Sequence, residues 1–154
     1  MFLGCVYIPP ENTRYASEGC ITEIENDIIH FSQKTKFVAL VGDFNAGTAK
    51  LLDFIIPDEN LLHDILDITD DKMNENMYTY HILEQLNIPL ERNNEDEGRT
   101  NPYGMKLLDL CRRCSLVIAN STLHNDKYIG RTTCKDISTV DYLIRYSLLF
   151  QYVN

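Results

Sequence analysis

The sequence predicts an α/β (α+β) fold, a layered sheet with helical cover, and three observations support this. Short apolar runs bounded by turn-forming residues indicate strands, a stretch of helical periodicity lies between the first two runs, and hydrophobic residues make up 44% of the chain. The 154 residues leave room for one domain with its own core, which we place at residues 1–154.

The first half of the chain predicts the order strand, helix, strand. Phe2 to Ile8 forms the first strand, and Pro9-Pro10 ends it because proline cannot continue a sheet ladder. Apolar residues then recur at helical spacing between polar ones: Ile21, Ile24, Ile28 and Phe31. This pattern predicts an amphipathic helix over roughly Ala16 to Ser32. Phe37 to Val41 is the second strand, and an irregular acidic stretch follows it to about residue 75.

The second half predicts two helices. The first is short, from Tyr78 to Leu86, and a polar loop follows from Asn93 to Arg99. Asn101-Pro102 begins the second, because asparagine is a common helix cap and proline suits the first helical position. The expected buried face of that helix comprises Met105, Leu108 and Cys111, with Leu107 and Leu110 beside it.

Three further strands complete the prediction. They lie at Ser115 to Asn120, Arg131 to Cys134 and Val140 to Ile144. The sequence contains no internal repeat and no flexible linker between domains.

The stretch from Val38 to Asn45, Val-Ala-Leu-Val-Gly-Asp-Phe-Asn, is the most informative part of the chain. An apolar strand leads into Gly42, where we expect the backbone to turn. Asp43 and Asn45 are two residues apart, so extended geometry would project them to the same side at the end of a buried strand. Such strand ends commonly bear ligands and chemistry. The alternative is a turn whose Asp and Asn side chains satisfy their own backbone.

Gly42-Asp43-Phe44-Asn45 resembles the Gly-Asp-Phe-Asn signature of the endonuclease/exonuclease/phosphatase superfamily, which are metal-dependent phosphodiesterases. Three other segments agree in order. Cys5 to Pro10 resembles the family's Tyr-x-Pro strand end, and Asn101 to Gly104, followed by Leu107 to Cys111, resembles the Asn-x-x-Gly helix start of retrotransposon-type endonucleases. Ile137 to Ile144 resembles the Ser-x-Val/Ile-Asp-Tyr strand near the family's C-terminus. The resemblance implies a layered β-sandwich flanked by helices and covers nearly the whole chain.

The resemblance also implies roles for four residues as catalytic candidates. Asp43 would be the general base that activates the water, and Asn45 would hydrogen-bond the phosphate. Tyr7 would lie beside the scissile phosphate, although an aromatic side chain packed on the sheet is the alternative. Asp141 would orient a catalytic histidine, and as a charge inside an apolar strand it should have a partner. Ser138 is expected to support the site or the strand.

Other polar residues are weaker candidates. Asn120 could face the site, but a solvent-exposed strand end is the preferred interpretation. Cys111 and Cys114 are spaced as in zinc sites, yet four ligands are needed and no second pair exists, so we expect core packing. The histidines stand in no family motif, and none is assigned to catalysis: His30, His63, His81 and His124.

Two parts of the family's machinery have no counterpart in this sequence, so we expect a domain incomplete at both ends. The strand with the metal-binding Glu would precede Tyr7, and the closing Ser-Asp-His would follow Asp141. Mg²⁺ or Mn²⁺ is implied by the family, but its principal ligand is absent and binding by this chain is doubtful. The expected function is a DNA endonuclease type of phosphodiester hydrolysis, inactive or nearly so in this chain. The alternatives are a non-catalytic protein-interaction module and a phosphatase of the same superfamily.

Charge and composition bear on partners and location. The net charge of −9 argues against tight, sequence-neutral DNA binding, although DNA remains the substrate that the resemblance implies. We expect no membrane partner, and we expect missing strands or a partner chain to cover open sheet edges. No secretion signal is evident and the five cysteines cannot all pair, so an intracellular location, nuclear or cytoplasmic, with free thiols is expected.

Overall fold

The computed structural model describes residues 1–56, 58, 75–96, 98, 100–135 and 138–152. These residues form a mixed α/β structure with a four-stranded mixed sheet. The strands are β1 (Phe2–Tyr7), β2 (Val38–Asp43), β3 (Leu116–Ile118) and β4 (Asp141–Tyr146). The α-helices are α1 (Cys20–Ser32), α2 (Glu75–Gln85) and α3 (Pro102–Arg113), and two 3-10 helices follow, His124–Asp126 and Ser147–Tyr152.

The sheet has the order β1-β2-β4-β3. β1 and β2 run parallel, as the intervening helix α1 requires, while β4 is antiparallel to both β2 and β3. The last strand in sequence therefore lies in the interior of the sheet, and β1 and β3 are its outer strands. The Asp53 carboxylate accepts a hydrogen bond from the Ile118 N–H, which covers part of the outer edge of β3.

Helices α1 and α3 cover one face of the sheet. Alternate strand residues point into this main core, among them Val38, Leu40, Ile118 and Ile144. A second, smaller cluster covers the other face near β3, where Val117 and Ala119 pack with residues of three other segments: Phe54, Leu83 and Phe150. No helix in the described ranges has both the length and the apolar character needed to cross a membrane.

Helix α3 begins as predicted. Asn101 is its N-cap, and its side-chain oxygen accepts a hydrogen bond from the Gly104 N–H at 2.7 Å. The predicted buried face is wrong at one position, because Met105 is 45% exposed whereas Leu107 and Leu110 are fully buried.

Two other predicted elements need correction. Arg131 to Cys134 is not a strand, since its regular pairing is limited to one bridge between Cys134 and Ser138. Helix α1 begins at Cys20 rather than Ala16, because Gly19 stands at its cap and no side chain caps it there. Of the predicted 93–99 loop, the described residues carry neither helix nor strand, and Glu97 and Arg99 lie outside them.

Candidate functional site

Tyr7, Asp43 and Asp141 form a row across three adjacent strands. In the strand register Tyr7 pairs with Asp43, and Asp43 pairs with Asp141. Residues directly opposite each other point to the same face of a sheet, and strands lie about 4.8 Å apart, so the row spans about 10 Å. The face is the one opposite α1 and α3, because the alternate residues Val6 and Tyr142 belong to the main core. The three side chains therefore share one face at one end of the sheet.

The two carboxylates in this row are close neighbours. The Phe44 N–H donates to the Val140 carbonyl at 2.9 Å, so the adjacent Asp43–Asp141 pair is a non-hydrogen-bonded pair. In such pairs the Cα atoms are about 4.5 Å apart and the side chains approach most closely. Like charges directly opposite one another are destabilising unless a cation or solvent offsets them. The pair is thus a local concentration of negative charge at the sheet end.

Exposure differs along the row. Tyr7 is 69% exposed, so it is not packed on the sheet. Asp43 and Asp141 are half-buried. The carboxylate of Asp141 makes no hydrogen bond or ion pair with a residue of the described chain, so the expected partner is not found there. The physical reason is its position: Asp141 is the first residue of β4, at the sheet end, rather than inside a buried strand.

Asn45 is positioned differently from the sequence expectation. β2 ends at Asp43, and Asn45 adopts a left-handed conformation with φ of 47°, so the extended geometry that would align the two side chains is absent. The Asn45 N–H donates to Asp43 Oδ1 at 2.9 Å, and Asn45 Nδ2 donates to the Ile8 carbonyl at 2.8 Å. These two hydrogen bonds of Asn45 therefore stabilise the turn that follows β2 and join the ends of β1 and β2.

Gly42 is required for close strand approach rather than for the turn. It lies inside β2 with φ of 144°, and a Cβ at this position would be 2.0 Å from the Val6 carbonyl oxygen. The turn expected at Gly42 comes after Asp43. Because β1 can approach so closely here, the Ile8 N–H reaches the Asp43 carbonyl at 2.8 Å, which fixes Tyr7 beside Asp43.

Asn101 holds the loop that follows the signature. Its Oδ1 accepts hydrogen bonds from the N–H groups of Gly47 (3.0 Å) and Gly104 (2.7 Å), and its Nδ2 donates to the Asn45 carbonyl at 3.0 Å. A single side chain thus caps α3 and anchors the turn that carries Asn45. The sequence indicated the cap, but no local pattern indicates the contact with a loop more than fifty residues earlier.

The backbone of Asp141 is held by two polar side chains. Thr133 Oγ1 accepts from the N–H groups of Val140 and Asp141, both at 3.1 Å. The Asn120 amide donates to the Asp141 carbonyl and accepts from the Leu143 N–H, both at 3.0 Å. Asn120 is half-buried and bridges the backbone, which corrects the expectation of a solvent-exposed strand end. Thr133 was not a candidate, because a lone threonine in a loop gives no recognisable signal.

Tyr142, next to Asp141, supports the site from the main core. Its hydroxyl lies 2.7 Å from the Ala46 carbonyl, 2.8 Å from the Thr139 carbonyl and 3.0 Å from Thr48 Oγ1. Burial raises the pKa of Tyr142, so its hydroxyl stays protonated and can donate. The half-buried Ser138 contributes a backbone bridge to Cys134. Ile137, the first residue of that motif segment, lies outside the described residues.

A shallow pocket of about 360 Å³ adjoins the row on the β3 side. Asp141 lines it together with Val41, Leu143 and the exposed His124. Asp126 also lines it, but its two carboxylate oxygens accept from backbone N–H groups and hold the 121–131 loop. The pocket therefore offers one carboxylate and one imidazole beside an apolar floor.

No cluster of three or more His, Cys, Asp or Glu side chains in the described ranges is arranged to hold a metal ion. Asp43 and Asp141 together supply two carboxylates, and Mg²⁺ can be held by one or two carboxylates with water completing its shell. Cys111 packs in the main core and burial raises its pKa well above the usual value, so its thiol is protonated. Each of the five cysteines is a free thiol.

Comparison of the chain with protein-family models, with curated proteins and with solved structures finds no match.

Proposed function

We propose that this chain carries the substrate side of a metal-dependent phosphodiesterase site of the endonuclease/exonuclease/phosphatase type, acting on DNA. The observation that carries the proposal is the row Tyr7–Asp43–Asp141, in which residues from three distant segments share one face at one end of the sheet. The sequence resemblance implies catalytic roles for these same three residues. If the Gly-Asp-Phe-Asn signature only stabilised its local turn, nothing would require Tyr7 and Asp141 to lie beside it.

The proposed roles follow from position. Asp43 is the general base for the attacking water, and its neighbour Asp141 orients a catalytic histidine. Tyr7, which is largely exposed, contacts the phosphate. Asn45 keeps one of its two amide N–H groups for the phosphate, because the other is committed to the Ile8 carbonyl. A divalent cation such as Mg²⁺, which the resemblance implies, would supply charge stabilisation for the phosphate.

The open sheet face supports the β-sandwich part of the proposal. Directly below the functional row, Cys5, Val41 and Leu143 form a second row in register, and Leu3 lies one step further along β1. Leu3 is 58% exposed and Val41 is 40% exposed. Exposed contiguous apolar residues on a sheet mark a packing surface. We infer that a second sheet packs on this face, and that the functional row lies at the mouth between the two sheets.

Catalysis by this sequence alone is proposed to be negligible. The sequence holds no counterpart of the family's metal-binding Glu or its closing Ser-Asp-His. Loss of a principal ligand or of the catalytic histidine reduces rates by orders of magnitude. The chain would then be a phosphodiesterase by descent whose site requires groups that this sequence does not supply.

A graft experiment tests the site. Residues 1–154 replace the corresponding part of an active retrotransposon-type endonuclease that retains its own Glu strand and its Ser-Asp-His strand. We expect Mg²⁺-dependent nicking of supercoiled plasmid that Asp43→Ala abolishes. Asp27→Ala removes an exposed carboxylate from α1 and serves as the matched control, with nicking unchanged. Nicking that survives Asp43→Ala, or a folded graft without activity, would refute the proposal.

Two further assays bear on the alternatives. The isolated chain should not nick plasmid above background with Mg²⁺, and turnover comparable to a complete domain would contradict the proposed inactivity. If the graft hydrolyses an inositol phosphate and leaves DNA intact, the phosphatase alternative is the correct one.

A second candidate function is a non-catalytic interaction module. The same open face favours it, together with the outer strand β1, whose far edge pairs with no other strand in the described ranges and could add a strand from another chain. Light scattering on the purified chain tests this. A defined oligomer or hetero-complex that dissociates when Val41 is replaced by lysine (Val41→Lys) would support the interaction module. Heterogeneous aggregation would count against it. Lys50→Glu, an exposed charge change in a loop, is the control.

A further inference from the structure

A second pocket in the described part of the chain lies at the other end of the sheet. Its volume is about 610 Å³, within the range of small-molecule sites. The lining contains the end residue Tyr146 of β4, whereas the proposed functional row contains Asp141 at the start of that strand. Five residues of extended strand span about 17 Å, so the two sites are separate. We call this second site the helical pocket, because α1, α2, the end of α3 and the last 3-10 helix surround it.

The described lining of the helical pocket has apolar walls and two cationic side chains. Four aliphatic side chains line it: Ile28, Ile29, Ile82 and Leu148. Among the residues that the structure describes, the charged ones lining the pocket are Lys36 and Arg113. The charges of the described lining therefore favour an anion.

The two cations differ in availability. Arg113 donates to both carboxylate oxygens of Glu25, at 2.8 and 2.9 Å, and this bidentate pair neutralises it. Lys36 is exposed at the pocket, and it forms no ion pair within the ranges that the structure describes. One positive charge is thus left for a ligand.

Thr79 provides an independent indication of a ligand. This α2 residue lines the pocket and is only 2% exposed, yet its hydroxyl has no hydrogen-bond partner among the described residues. Burial of a hydroxyl without a partner is unfavourable. A polar atom of a bound molecule would satisfy it.

We propose that the helical pocket binds a small amphipathic anion: a flexible apolar chain that ends in one carboxylate. The carboxylate lies at Lys36, the apolar chain lies against the four aliphatic side chains, and the Thr79 hydroxyl donates to an oxygen of the ligand. The proposal is independent of the phosphodiesterase site, because it uses none of that site's residues.

Calorimetric titration of the whole chain with decanoate tests the proposal. We expect saturable binding to one site, with decanol and decylammonium bound more weakly because neither carries the negative charge. Lys36→Glu should weaken decanoate binding by about tenfold, since the substitution replaces an attraction with a repulsion at partial solvent exposure. Lys34→Glu makes the same charge change two residues away, outside the pocket, and should alter the affinity by less than about twofold.

A second variant keeps the test decisive if charge reversal unfolds the chain. Ile29 is half exposed, so Ile29→Ser should fold and should weaken decanoate binding by removing apolar contact. Equal binding of decanoate and decylammonium would overturn the proposal. So would equal losses for Lys36→Glu and Lys34→Glu, or no saturable binding of decanoate to the folded chain.

Discussion

Substitution of Asn101 by alanine should destabilise the fold more than removal of an ordinary helix cap. The side chain makes three hydrogen bonds, accepting from Gly104 and Gly47 and donating to Asn45. A cap is worth about 1 kcal/mol, and each further hydrogen bond contributes about 1 kcal/mol net. Asn101→Ala should therefore lower the free energy of unfolding by about 3 kcal/mol, a large part of the 5–15 kcal/mol that typical domains have.

Urea denaturation followed by circular dichroism measures this loss. With a slope of about 2 kcal/mol per molar urea, the midpoint should fall by about 1.5 M. Asn101→Asp is the matched variant: it keeps the acceptor oxygen for Gly104 and Gly47 but loses the donor to Asn45, so it should cost only about 1 kcal/mol. Asn12→Ala, at an exposed position, should be neutral within about 0.5 kcal/mol. A loss below about 1 kcal/mol for Asn101→Ala, or equal losses for the Ala and Asp variants, would refute the bridging role.

Three further predictions concern packing, titration and thiol reactivity. Gly104→Ala should destabilise the fold by about 3 kcal/mol or abolish folding, because its Cβ would lie 1.8 Å from the Gly47 carbonyl oxygen. Thermal unfolding measures this loss, and a loss below about 1 kcal/mol would contradict the contact. Burial raises the pKa of Asp53, so its contribution to stability is full below the unfolded pKa of about 3.9 and is lost as pH rises through the folded value. The stability of Asp53→Asn relative to the wild type should therefore increase with pH above about 4, and a flat difference in urea titrations would contradict this. Cys5 is exposed, whereas Cys111 is buried and burial raises its pKa. A thiol reagent should therefore label Cys5 first and Cys111 only on unfolding. Mass spectrometry identifies the labelled cysteine, and early labelling of Cys111 would contradict the packing.

The sequence predicted the elements that depend on local pattern. Strand β1, helix α3 with its Asn101 cap, and strand β4 lie within a few residues of their predicted positions. These elements follow from the alternation of apolar residues, from proline and from capping chemistry, which act over a few residues. The predicted strand at Arg131 to Cys134 was wrong because its residues bond to loops rather than to a neighbouring strand.

The arrangement of the site depended on information that no local pattern contains. The side-by-side position of Asp43 and Asp141 results from the insertion of β4 between β2 and β3, which is a choice of topology. The left-handed backbone of Asn45 was missed because asparagine tolerates both extended and left-handed conformations. The exposure of Met105 was not predicted, because helical spacing defines the edge of a buried face only to within one residue. The catalytic roles of Tyr7, Asp43, Asn45 and Asp141 stay predictions.

The interior position of β4 has a consequence for how the chain folds during synthesis. Among the described strands β3 pairs with β4 and not with β2, so the strand partner of β3 is made only after β3 itself. The partners Asp43 and Asp141 are about a hundred residues apart, and contacts at such separation form slowly because a long loop must close first. A nascent chain that ends before β4 can already pair β1 with β2 around α1, but the side of β2 that later binds β4 is unpaired. Ribosome-bound intermediates of this length should therefore be the species that chaperones bind, and release should follow the emergence of β4.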